Sequence, residues 1–117
     1  MGLAGKRILV VEDEPIVAMC LEDMLQGFGC EVIGPAARLD EGLSLAASEA
    51  LDGAILDVNL GDARSYPIAD FLGRLAVPVL FATGYGRADY PDRTGVRLIE
   101  KPYHTEQLRA ELTALLG

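Results

Sequence analysis

What most limits the fold of this chain is an alternation: five short apolar runs, each closed by polar residues or a turn, with room for a helix after each. Ile8-Leu9-Val10-Val11 is the first run and stops abruptly at Glu12-Asp13-Glu14. Continuous apolar runs of this length, rich in β-branched residues, are the signature of strands buried on both faces. Pro15 suits a first helical position, and Ile16, Val17, Cys20, Leu21, Met24, Leu25 and Phe28 recur at helical spacing until Gly27 and Gly29 close the segment. Glu31-Val32-Ile33-Gly34-Pro35 is a second strand, and Leu39, Leu43, Ala46 and Ala47 mark a second helix before a turn at Asp52-Gly53. Gly34 also reads as a turn.

Ala54-Ile55-Leu56-Asp57-Val58 is a third strand with a carboxylate at its end, followed by a loop over 60–65 and a helix from about Pro67 to Leu75. Val79-Leu80-Phe81-Ala82 gives a fourth strand ending at Thr83-Gly84, and Val96-Arg97-Leu98-Ile99 a fifth ending at Glu100-Lys101-Pro102. Gly84, Gly86, Pro91 and Gly95 crowd the place of the fourth helix, which is expected to be short, distorted or mobile. The last helix is capped by His104 or Thr105 and has an apolar face of Leu108, Leu112, Leu115 and Leu116.

Apolar strands alternating with amphipathic helices predict an α/β fold: a doubly wound, five-stranded parallel sheet in order 2-1-3-4-5, covered on both faces. In such sheets ligands bind outside the carboxyl ends of the strands, at the switch point between strands one and three. With 117 residues, one domain over 1–117 is expected.

Ten Lys+Arg against eighteen Asp+Glu give a net charge of −8, which repels phosphate backbones and anionic lipid. Nucleic acid and membrane are therefore poor partners. Cys20 and Cys30 are too few for a disulfide framework; they read as free thiols, Cys20 in a helix core and Cys30 in a loop. The start of the chain lacks a signal-peptide apolar region, so a cytoplasmic location is expected.

The strand ends carry the chemistry: Glu12-Asp13 after strand one, Asp57 after strand three, Thr83 after strand four and Lys101 after strand five. Carboxylates converging in one crevice take up protons unless a cation compensates them, and a hard divalent ion such as Mg2+ accepts two carboxylates, a carbonyl and a phosphate oxygen. Asp13 and Asp57 are the expected direct ligands. A plainer account makes Glu12-Asp13-Glu14 an acidic helix start and Lys101 a solvated lysine.

At these residues the chain resembles the receiver domains of bacterial two-component response regulators, a flavodoxin-like fold. The resemblance runs from Ile8-Leu9-Val10-Val11-Glu12-Asp13-Glu14 through Leu56-Asp57-Val58-Asn59-Leu60 and Ala82-Thr83-Gly84 to Lys101-Pro102-Tyr103. It implies that Asp57 accepts a phosphoryl group from a sensor histidine kinase or histidine phosphotransferase. It further implies that Glu12, Asp13, Asp57 and the Asn59 backbone carbonyl hold Mg2+, and that Thr83 and Lys101 contact the phosphoryl oxygens. Such a protein is a phosphorelay switch that assists its own phosphorylation and dephosphorylation rather than an enzyme. It would be a monomer, or a weak dimer through the face formed by the fourth helix, fifth strand and last helix. With the chain ending at Gly117, no output domain is expected, and signal would pass to a downstream protein target.

Two positions depart from the common receiver pattern. Leu98 stands where a Tyr or Phe would rotate, and Phe81-Ala82-Thr83-Gly84-Tyr85 looks like a subgroup of mostly stand-alone receivers named for that motif. Thr83 and Tyr85 are therefore the expected switch residues, although Tyr85 also reads as a plain loop aromatic and Phe81 as a core residue. His104 reads as a neighbour of a helix cap.

Two other functions compete. An aspartate-nucleophile phosphohydrolase of the haloacid dehalogenase type also uses a carboxylate after a parallel strand, but wants Asp where Asn59 stands. A pseudo-receiver would keep the fold without phosphorylation, and the retained acids, Thr83 and Lys101 argue against it.

Overall fold

The computed structural model describes residues 2–84 and 97–116. In chain order they form β1 (Arg7–Val11), α1 (Pro15–Gly27), β2 (Glu31–Ala36), α2 (Leu39–Ser48), β3 (Gly53–Asp57), β4 (Asn59–Leu60), β5 (Ala63–Arg64), α3 (Tyr66–Arg74), β6 (Val79–Thr83), β7 (Arg97–Glu100) and α4 (Thr105–Leu116). Five strands make one parallel sheet in the order β2-β1-β3-β6-β7, which is the expected 2-1-3-4-5 layout of a flavodoxin-like fold. The expected fourth helix, Tyr85 and Val96 lie outside the described residues.

The two-residue period of the strands divides the core. Ile8, Val10, Ile55, Leu80 and Ile99 face Leu21 and Leu25 of α1 and Leu108 and Leu112 of α4. Leu9, Val11, Leu56 and Phe81 face the other way, onto Ala46 of α2 and Ile68 and Leu72 of α3. Each buried Leu, Ile and Val side chain among these contributes about 1.5–3 kcal/mol, so the sheet is held from both faces. No helix among the described residues is long and apolar enough to cross a membrane.

Several local expectations need correction. Cys20 is exposed and not part of the helix core, whereas Cys30 lies in the expected loop before β2 and is buried there, donating its thiol to the Leu3 carbonyl at 3.4 Å. The reason is that α1 buries the stripe Ala18, Leu21 and Leu25, which leaves Ile16, Met19 and Cys20 on the solvent side. Gly53 opens β3 instead of ending a turn, since its amide neighbourhood is already part of the pairing with Ile8. The stretch expected as a loop holds a small antiparallel hairpin, β4 with β5, because Gly61 takes φ +75 at the turn and buried Leu60 pins one strand.

Gly34 lies within β2, not in a turn. Its φ of +102 and the approach of the Val10 carbonyl, 2.9 Å from where a Cβ would sit, leave room only for glycine. The pairing register of β1 with β2 shifts at this point, and beyond it the Ala36 carbonyl accepts the Glu12 amide at 2.9 Å. The irregularity in β2 thus fixes the backbone of the first acidic residue after β1.

Candidate functional site

Strand pairing brings the chemistry together. Val11 pairs with Leu56, so Glu12 and Asp57 follow at neighbouring strand ends, 3% and 5% exposed. Glu12, Asp13, Glu14 and Asp57 each offer a carboxylate oxygen, all within 4.8 Å of one another. Lys101 reaches into this group from the end of β7: its Nζ lies 2.8 Å from Glu12 Oε1, 3.1 Å from Asp57 Oδ2 and 3.3 Å from Glu14 Oε1. The ammonium donates hydrogen bonds to Asp57 and Glu14, whereas Glu12 Oε1, although nearest, is an ion-pair contact only and has no hydrogen-bond partner among the described residues. Two backbone amides complete the frame, Glu14 donating to Glu12 Oε2 at 3.1 Å and Asn59 to Asp57 Oδ1 at 3.3 Å.

The electrostatics are dominated by burial. Loss of water pushes the Glu12 carboxyl up to about 7, with the Asp57 charge adding to the rise and the Lys101 ion pair opposing it. Asp57 is raised as well, again by burial first, with Lys101 pulling the other way. Burial works against the Lys101 ammonium, but Glu12 and Asp57 outweigh it and hold Lys101 above its ordinary value. Four clustered carboxylates, three of them against the single Lys101, leave a surplus of negative charge. A cavity of about 230 Å³, lined by Asp13, Glu14, Asp57, Asn59, Gly61 and Lys101, adjoins them. An all-oxygen donor set with uncompensated charge, and room for several waters, fits a hard divalent cation.

Thr83, at the end of β6, is 1% exposed, and its Oγ1 has no hydrogen-bond partner among the described residues. Asn59 sits on β4, exposed, beside Asp57. Leu98 pairs with Phe81 and is half-buried against the α2 and α3 side of the core. Phe81 is a core residue, its ring 5.8 Å from that of Tyr66 in an edge-on contact. The His104 carbonyl accepts the Leu108 amide at 2.9 Å, at the start of α4.

Two residues escaped the sequence reading. Glu14 holds Lys101, although nothing in a row of three acids tells which of them turns toward a lysine 87 residues away. Tyr103 buries its hydroxyl without a partner among the described residues and packs against the α1 and α4 side of the core. Its Lys-Pro-Tyr setting was the available signal.

Residues 8–113 match the response regulator receiver domain family. The chain belongs to that family. This receiver is 37% identical over 119 residues to the phyllosphere-induced regulator PhyR of Methylorubrum extorquens, covering 93% of the chain and 43% of that protein. The solution structure of SdrG from Sphingomonas melonis Fr1 superimposes with a TM-score of 0.81 at 34% identity, each chain covered to 100%. The response regulator PhyR from Brucella abortus gives a TM-score of 0.85 at 28% identity over 97% of the receiver and 49% of that chain. The receiver spans about half the length of the curated relatives it matches. Its relatives in this family are response regulators, which are signalling proteins rather than classical enzymes.

Proposed function

We propose that this receiver is a phosphorylation-controlled switch whose Asp57 accepts a phosphoryl group from the phosphohistidine of a sensor histidine kinase or a histidine phosphotransferase. The observation that carries this reading is the setting of Asp57: nearly buried at the end of β3, lining the acidic cavity, and 3.1 Å from the Lys101 ammonium. An Asp57 carboxylate oxygen attacks phosphorus and forms the new P–O bond. The P–N bond breaks, the imidazole nitrogen keeps its electron pair, and any proton it needs comes from solvent.

A carboxylate is a weak nucleophile and must approach a polyanion, so catalysis rests on positioning and on positive charge. Lys101 supplies one such charge and turns it toward the phosphoryl oxygens. Asp13, Asp57, Glu12 and the Asn59 carbonyl are the groups that would hold Mg2+, which when bound supplies further positive charge toward those oxygens. The acyl phosphate carries about −1.5 to −2 in place of the carboxylate's −1. The Thr83 hydroxyl, with no partner of its own among the described residues, donates to a phosphoryl oxygen, and its shift passes the state on to partner binding.

Exposed Ile16 and Met19 on α1, two to five residues beyond Glu14, offer the phosphohistidine-bearing protein an apolar foothold beside the site. The test is incubation with acetyl phosphate and magnesium followed by intact-mass measurement. Wild type gains one phosphoryl group and Asp57→Asn none; an equal gain in the variant overturns the assignment.

A further inference from the structure

Glu14 occupies the position that precedes α1, with φ −94 and ψ 113, where a side chain ordinarily caps the helix. It makes no such bond. Its carboxylate instead lies 3.3 Å from Lys101 Nζ, while its own amide holds Glu12 Oε2 at 3.1 Å. The three carboxylates on the ammonium differ sharply in exposure: the side chains of Glu12 and Asp57 are 1% and 6% exposed, that of Glu14 64%.

We infer that Glu14 is a positioning residue that holds Lys101 at the mouth of the acidic cavity and keeps one of its donors in reserve for the phosphoryl group. The inference rests on the phosphoacceptor reading of Asp57. Lys101 donates hydrogen bonds to Asp57 and Glu14, while Glu12 Oε1 at 2.8 Å is an ion-pair contact without a hydrogen bond, so the donor held by Glu14 is the one a phosphoryl oxygen can take over without unpairing a buried carboxylate. Releasing Glu12 would leave a buried carboxylate unpaired, which is costly, whereas Glu14 returns to water at little cost. Glu14 also spreads the lysine's charge outward. Without it the ammonium settles fully onto Glu12 and Asp57, the same oxygens a divalent cation needs.

The test is a double-mutant cycle of Glu14→Gln and Lys101→Ala, read in two ways. Magnesium is titrated with no phosphoryl donor present, by amide chemical shifts, and phosphorylation by acetyl phosphate is then timed at saturating magnesium. Glu14→Gln alone is expected to weaken magnesium binding several-fold and to slow phosphorylation about tenfold, with both effects absent on the Lys101→Ala background. Equal losses on both backgrounds would mean that Glu14 acts on the cation or the helix directly, and would overturn the inference, as would no loss on either. Coupling in the magnesium titration without phosphate uptake on Asp57 removes the phosphoacceptor reading and leaves the positioning role standing. Phosphorylation of Asp57 with no coupling does the reverse.

Discussion

Thr83 and Lys101 are joined through the main chain: the Lys101 amide donates to the Thr83 carbonyl at 2.8 Å, directly beyond the pairing of Thr83 with Glu100. The two residues assigned to the phosphoryl oxygens therefore share one backbone link, and a displacement of either strand end is felt by the other.

The Thr83 hydroxyl is buried without a partner among the described residues, and such a group costs about 1–3 kcal/mol. Thr83→Val should therefore raise the stability of the unphosphorylated protein by about 1 kcal/mol in urea unfolding. The same variant should take up phosphate on Asp57 but lose most of the amide-shift change that phosphorylation brings. A clear loss of stability would contradict the assignment of an unsatisfied hydroxyl.

Glu12 should make the protein sensitive to pH. Its folded value of about 7 stands above the ordinary 4.5, so its contribution to stability is fully present below that ordinary value and is lost as pH rises through about 7. Without magnesium, the urea midpoint should fall between about pH 5 and about pH 8, and Glu12→Gln should flatten that fall. Magnesium affinity should run the opposite way, strengthening as Glu12 deprotonates.

Gly34→Ala should destabilise the fold by about 2–4 kcal/mol, since it adds strain at positive φ to a backbone clash. The new Cβ would lie 2.9 Å from both the Val10 carbonyl oxygen and the Ala36 amide nitrogen, and backbone atoms cannot swing aside. Because Ala36 anchors Glu12, magnesium binding should weaken in the same variant. Denaturant unfolding and a magnesium titration check the two effects.

The two thiols should separate cleanly. Cys20 is exposed, whereas burial pushes the Cys30 thiol above its ordinary value. Alkylation of the native protein should give one adduct by intact mass, on Cys20, and a second only in denaturant.

The sheet and the acid-bearing strand ends were legible because parallel strands buried on both faces need unbroken apolar runs, and the residue after each run is placed by topology. Helix α1 was read less well. Ile16, Val17 and Cys20 have the apolar character of a core face, but the helix meets the sheet along Ala18, Leu21 and Leu25, and spacing alone does not say which of two adjacent stripes turns inward. Cys30 lies in the loop where it was read, but its burial was not legible: the chain before β1 folds back so that Leu3 and Cys30 close the core together, a long-range contact with no local trace. The hairpin after Asp57 is too short to show a period. The lysine's contact with Glu14 depends on rotamers that no spacing records.

The irregular strand β2 also governs how copies of this molecule can meet. Among the described residues it forms one edge of the sheet, and there Gly34 takes a positive φ and Pro35 has no N–H to offer. The opposite edge, β7, is four residues long with exposed Arg97 and Glu100 at its ends. Neither edge is a good template for adding a strand from another chain. A sheet with so apolar an interior is thus guarded at both of its described edges against growing into ribbons.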